Sequence, residues 1–216
     1  MVCGELLSDL GPLQQRVAAV LALWPWRAPV LAFELDAEWG VERAALESLF
    51  ELAATPPGDQ SDRALRRAIA DLCTAPLFTS EVEPDTIQLF QLETISGLLT
   101  FGELLDTPSA DVAERVIEGS AGLAAYLDDL VEGSLHSHPA EKTHREYLAN
   151  LAGTVAEGYF ASRNSAVESV GHRLVRASPD TAGLLDSSAG RELLARCEDL
   201  GEEFVTTMRW LRVTGH

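Results

Sequence analysis

The sequence predicts an all-α protein: a single helical domain over residues 1–216, folded as an irregular bundle of about eight helices. Three observations carry that expectation. Apolar residues recur three and four apart in one segment after another, which is the helical period. No run alternates apolar and polar residues between turn signals, as a half-buried strand would. Proline-containing breaks separate the periodic segments, and no fixed period of self-similarity links them. With 216 residues, 46% of them hydrophobic, the chain can bury one substantial core, and nothing in it demands a second.

Gly11-Pro12 opens the first segment, in which Leu13, Val17, Val20, Leu21 and Trp24 keep helical spacing until Pro25 stops them. WPWRAP reads as a turn. Pro29 then suits a first helical position before VLAFELDAEW, with Gly40 as the residue after the helix. Leu46, Leu49, Phe50 and Ala53 mark the next helix, and TPPGDQ ends it. Ser61 is a candidate cap for RALRRAIADLC, striped by Leu65, Ile69 and Leu72.

The segment TIQLFQLETISGLLTFGELL is apolar on almost every face and is expected to be the central, most buried helix. Thr107-Pro108 offers an N-cap and first-turn proline for a helix carrying Val112, Val116, Leu123, Leu127 and Leu130 to Gly133. Pro139 restarts a helix through Tyr147, Leu151 and Tyr159, running on or kinking near Asn164 into AVESVGHRLV before a break at ASPD. A closing helix spans roughly Ser188 to Arg212, with Leu193, Leu194, Cys197, Leu200, Phe204, Met208 and Leu211 on one face.

Charge narrows the function. Against 16 basic side chains stand 34 acidic ones, a net −18 that repels phosphate backbones and disfavours nucleic-acid binding. Between Glu81 and Gly133 many carboxylates face a single base, Arg115, so a strongly negative region is expected mid-chain. Cys3, Cys73 and Cys197 are odd in number and widely spaced, which points to neither a disulfide framework nor a thiolate zinc site. Glu5 and Asp9 stand where a secretory peptide needs positive charge, and VAAVLALW is too short to span a bilayer. The expectation is a soluble cytoplasmic protein with no membrane partner.

The stretch AYLDDLVEGSLHSHPAEKTHREYL concentrates the residues able to do chemistry. Asp129 and Glu132 lie three apart at the expected end of one helix, Glu141 and His144 three apart at the start of the next, and His136 and His138 fall in the joining loop. A helical hairpin would bring the six together as ligands for a divalent metal. Glu-x-x-His is the spacing that di-iron carboxylate bundles use, but they need it on two helices and this chain has it once. A solvated polar turn accounts for the same residues, the acidic helix start included.

Two further carboxylate patterns compete with bland readings. Asp128-Asp129-Leu-Val-Glu132 with Asn164-Ser-Ala-Val-Glu168 resembles the two magnesium motifs of class I terpene synthases. The chain is too short for such a domain, however, and the motifs stand too close together. Glu34, Glu38 and Glu42, beside Glu47 and Glu51, would hold magnesium as in a helical nucleotide pyrophosphatase, or form the wet face of an acidic helix. No nucleophile motif, phosphate loop or cofactor motif is present, and the four tryptophans read as packing at helix crossings.

The segment PDTIQLFQLETISGLLTFGELLDTPSADVAERVIEGSAGLAAYLDDL, mainly over residues 85–130, resembles the YjaG-like helical family of unknown function. The likeness rests on Asp85, Glu103-Leu104-Leu105, Ala113-Glu114 and Ile117-Glu118; it implies an all-helical fold and carries over no catalytic or binding residue. The favoured expectation is a non-enzymatic interaction or regulatory protein that presents its acidic region to a basic protein partner, without a cofactor. The alternative is a small metal-binding or metal-dependent bundle using the Asp129–His144 hairpin. A homodimer through apolar helix faces is compatible with both.

Overall fold

The computed structural model describes residues 7–81, 83–137, 158–178 and 181–214. Within them, α-helices joined by short 3-10 turns are the only regular elements. Seven helices have twelve residues or more: α1 (Pro12–Leu23), α3 (Arg43–Ala54), α4 (Asp59–Cys73), α5 (Thr86–Asp106), α6 (Ala110–Ser137), α7 (Tyr159–Ala177) and α8 (Ser188–Thr214). A six-residue helix, α2 (Arg27–Ala32), brings the described total to the expected eight only if a single turn and a half is counted.

The most enclosed helix is α1, where the sequence pointed to α5. Every residue of α1 from Gln15 to Leu23 is buried, whereas α5 leaves Glu93, Ser96 and Glu103 exposed. The cause is the small residues: Ala18, Ala19 and Ala22 let neighbouring helices close on α1 from several sides. α5, α6 and α7 all pack on it, and a Cβ at Gly97 of α5 would lie 2.8 Å from Leu23 Cδ2. At the N-terminus Gly11 is extended, Pro12 occupies the first turn, and Gln14 Oε1 accepts from the Gly11 N–H at 2.9 Å.

The helix expected over VLAFELDAEW stops after Ala32. The 3-10 turn Trp24–Trp26 leads straight into α2, which ends when Phe33 turns extended (φ −112°, ψ 157°). That break sends Phe33 and Trp39 into the core, so burial overrides local helix preference. Asp36 then caps a second 3-10 turn, Ala37–Trp39, accepting from the Glu38 N–H at 2.8 Å. Gly40 follows it in the left-handed region (φ 61°), the terminating role its sequence position implied.

Three helix boundaries also move. α4 begins at Asp59 behind Gly58, and Ser61 lies within its first turn, donating to the Pro56 and Gly58 carbonyls. Thr107 closes α5, donating its N–H to the Glu103 carbonyl at 2.8 Å, while the Ser109 carbonyl starts α6. α6 runs past Gly133 to Ser137 because Val131 and Ser134 continue its buried stripe. α7 is unbroken through Asn164.

The core has two lobes. The larger is organised around α1 with Leu46, Leu49, Phe50, Leu98 and Phe101; the smaller centres on Trp26. Trp26 stacks on Phe204 (4.4 Å) and Phe90 (5.8 Å), and Phe160 meets Phe204 edge-on at 5.5 Å. Its indole donates to Ser120 Oγ at 2.9 Å, and Ser120 in turn donates to the Ala22 carbonyl at 2.7 Å, so this buried polar chain is satisfied. These contacts fix α6 against α1 and α5, and with it the orientation of the acidic region.

Candidate functional site

Of the six hairpin residues, Asp129 and Glu132 are exposed on α6, and His136 lies within that helix instead of in a loop. The expected helix end and polar turn at Gly133 are therefore displaced. His138, Glu141 and His144 lie outside the described residues. Among the described residues, no three His, Cys, Asp or Glu side chains come together as a metal site would require.

Asp128, half of the adjacent aspartate pair, has a different task. Its Oδ1 accepts from the Phe160 N–H at 3.0 Å and its Oδ2 from the Ala161 N–H at 2.9 Å. A carboxylate on α6 thus caps the first turn of α7, where unpaired N–H groups and the positive end of the helix dipole favour an anion. Burial pushes this carboxyl's pKa up, and the backbone N–H groups of Ala161, Phe160 and Tyr159 oppose that rise. The approach is close because Gly158 precedes α7 at φ 87°, where a Cβ would stand 2.3 Å from Asp128 Oδ2. Sequence reasoning missed this joint, whose only local signal is a glycine before the aromatic pair Tyr159-Phe160.

The Asn164–Glu168 pair is also structural in its contacts. Asn164 is 1% exposed, and its Nδ2 donates to Glu168 Oε1 at 2.8 Å across one turn of α7. Burial raises the Glu168 carboxyl from its ordinary 4.5 to about 7, with the Asn164 hydrogen bond pulling the other way. Burial also lifts the Cys197 thiol on α8 to about 12, and the carboxylates of Glu198 and Glu168 add to that effect. Such a thiol is inert as a nucleophile at neutral pH. His172, one turn beyond Glu168, has its imidazole pKa lowered by burial and by Arg176.

The Glu34, Glu38 and Glu42 series falls apart because no helix carries it. Glu34 is in an irregular stretch, Glu38 in a 3-10 turn and Glu42 at the cap of α3, so no helical face carries all three, although Glu34 and Glu38 line one pocket. Glu47 instead pairs with Arg27 at 3.0 Å, with Glu51 farther out at 3.9 Å.

The acidic region itself is laid out along α5 and α6. The two helices run antiparallel, since Glu103 pairs with Arg115 near their junction and Phe90 meets Tyr126 (5.5 Å) farther along. Asp106 is held by Arg66 at 2.8 Å. Glu93, Asp111, Glu118 and Asp129 are exposed without an ion-pair partner among the described residues. Between the helices lies a groove of about 380 Å³ lined by Leu89, Glu93, Gly119, Gly122, Leu123 and Tyr126.

None of the described helices is long and apolar enough to cross a membrane. Comparison with protein-family models, with curated proteins and with solved structures found no match, so the YjaG-like resemblance rests on the residues quoted for it alone.

Proposed function

We propose that this chain is a non-enzymatic cytoplasmic interaction protein that offers the acidic face of α5 and α6 to a basic protein partner. One observation supports the reading above others: four exposed carboxylates, Glu93, Asp111, Glu118 and Asp129, have no ion-pair partner among the described residues on a chain of net charge −18. Unneutralised charge of one sign speeds and orients encounter with the opposite sign more than it sets final affinity.

The test is affinity capture from the source cells at low and at high salt. The bait is either the natural chain or one carrying Glu93→Gln, Asp111→Asn, Glu118→Gln and Asp129→Asn. A basic protein enriched by the natural chain at low salt, and lost both at high salt and with the variant, is the expected result. Identical captures by the two baits would contradict the proposal.

A further inference from the structure

Resting on that reading, we infer that the groove between α5 and α6 is the docking site itself, and that its occupant is a basic amphipathic helix. The helix would lay its apolar stripe along Leu89, Leu123 and Tyr126 and direct its Lys or Arg side chains to Glu93 and Glu118. Three observations converge on this occupant.

First, the groove floor is made of glycines that the fold does not explain. At Gly201 a Cβ would stand 2.5 Å from the Pro25 carbonyl, so packing requires a glycine there, and at Gly97 and Gly171 it would crowd Leu23 at 2.8 Å and Leu21 at 3.3 Å. At Gly119 and Gly122 a Cβ would meet nothing within 4 Å. Each costs α6 about 1 kcal/mol relative to alanine, and no close packing among the described residues offsets that cost. What the two glycines provide is room for another backbone to come close, since residues three apart share one helical face.

Second, Tyr126 is 38% exposed at the groove wall, one of three large hydrophobics left so exposed among the described residues. Its ring leans on Phe90 at 5.5 Å and is thereby held in place for a partner. Leu89 and Glu93, one turn apart on α5, form the opposite wall. An apolar floor and walls with a carboxylate at the lip match an amphipathic helix with basic flanks.

Third, charge chooses among occupants. Glu93 on α5 and Glu118 beside Gly119 on α6 are both exposed and unpaired among the described residues. A second copy of this chain would bring the same carboxylates into opposition, with −18 on each side. A basic helix is attracted where a copy is repelled.

The test uses the full chain and a fluorescein-labelled peptide of leucine and lysine about five helical turns long, followed by anisotropy. A companion peptide has alanine in place of leucine at the same charge. The groove is filled with Gly119→Leu and Gly122→Leu, changes that the open space permits, with circular dichroism confirming the fold. The lip is neutralised with Glu93→Gln and Glu118→Gln.

Filling the groove is expected to weaken the leucine–lysine peptide by about ten-fold or more while leaving the alanine–lysine peptide unchanged; neutralising the lip weakens both. If the filled groove binds the leucine–lysine peptide as before while the neutralised lip loses it, the groove proposal falls and the acidic-surface reading stands. If filling abolishes binding but neutralising does nothing, the basic partner is wrong and the acidic-surface reading falls with it. No binding by the natural chain, or a dimer in light scattering that the filled groove abolishes, also overturns the proposal.

Discussion

Replacing Glu168 with glutamine should make the protein more stable above neutral pH and leave it unchanged in acid. The Glu168 carboxyl accepts one hydrogen bond, from Asn164, and burial raises it from 4.5 to about 7. A group whose folded value lies above its unfolded value keeps its proton longer in the native state. The native protein then binds more protons than the unfolded chain between those two values, and stability falls as pH rises from 4.5 to about 7. Above that window the loss is complete and amounts to as much as about 3 kcal/mol, at 1.36 kcal/mol per unit.

Glutamine retains the acceptor for Asn164 and cannot ionise, so the variant escapes the loss. His172 works in the opposite sense: its lowered value means that stability falls as pH drops below the unfolded value of 6.5, when the unfolded chain takes up the proton. The quantity to measure is therefore the difference between the two proteins, in which the His172 contribution is common to both. Denaturant unfolding at several points from pH 4 to pH 8 supplies it. Equal stabilities are expected near pH 4, with a gap that widens in favour of the variant to a plateau of at most about 3 kcal/mol by pH 8. Parallel curves, or a variant less stable at pH 8, would refute it.

Other outcomes follow from the same contacts. Asp128→Ala strands the Phe160 and Ala161 N–H groups and should cost about 2 kcal/mol, read as a fall in Tm of roughly 4–8 °C by calorimetry. Gly158→Ala puts a side chain at φ 87° against Asp128 and should destabilise by more than about 1 kcal/mol. Because the two changes share one contact, the double variant should fall short of their sum. Thiol labelling of the native protein with peptide mapping should find Cys73 modified and Cys197 untouched until unfolding, given the burial and raised value of the latter. Elemental analysis of untagged protein is expected to give less than about a tenth of an equivalent of zinc, iron or manganese; a full equivalent would support the hairpin reading instead.

The all-helical class was legible because it depends on apolar period: α3 buries Leu46, Leu49, Phe50 and Ala53, and α8 buries Leu193, Cys197, Leu200, Phe204, Met208 and Leu211, the residues whose spacing announced them. Where competition between local and tertiary preference decided the outcome, the sequence misled. VLAFELDAEW has helical period, yet burying Phe33 and Trp39 breaks it, and that break dissolves the common face proposed for Glu34, Glu38 and Glu42. The boundary at Gly133 failed for the reverse reason, since continued burial through Ser134 outweighs one glycine.

The candidate site was legible in residue type and not in role. Asp128 stood out as one of two adjacent aspartates, but its partners are N–H groups some thirty residues away, and backbone donors leave no residue-specific mark. Gly119 and Gly122 gave no warning either. Within a helical pattern a glycine reads the same whether a neighbour fills its space or nothing does, and only the surrounding atoms separate them from Gly97 and Gly201.

The central claim is that unpaired carboxylates on α5 and α6 draw in a basic partner. Its most direct test is the association rate of the leucine–lysine peptide, measured by stopped flow from low salt to about 0.15 M, where screening shortens to about 8 Å. For the natural chain the rate should be high and fall steeply with salt. With Glu93, Asp111, Glu118 and Asp129 neutralised it should be slower and nearly flat. Equal rates with equal salt dependence in the two proteins would contradict the claim.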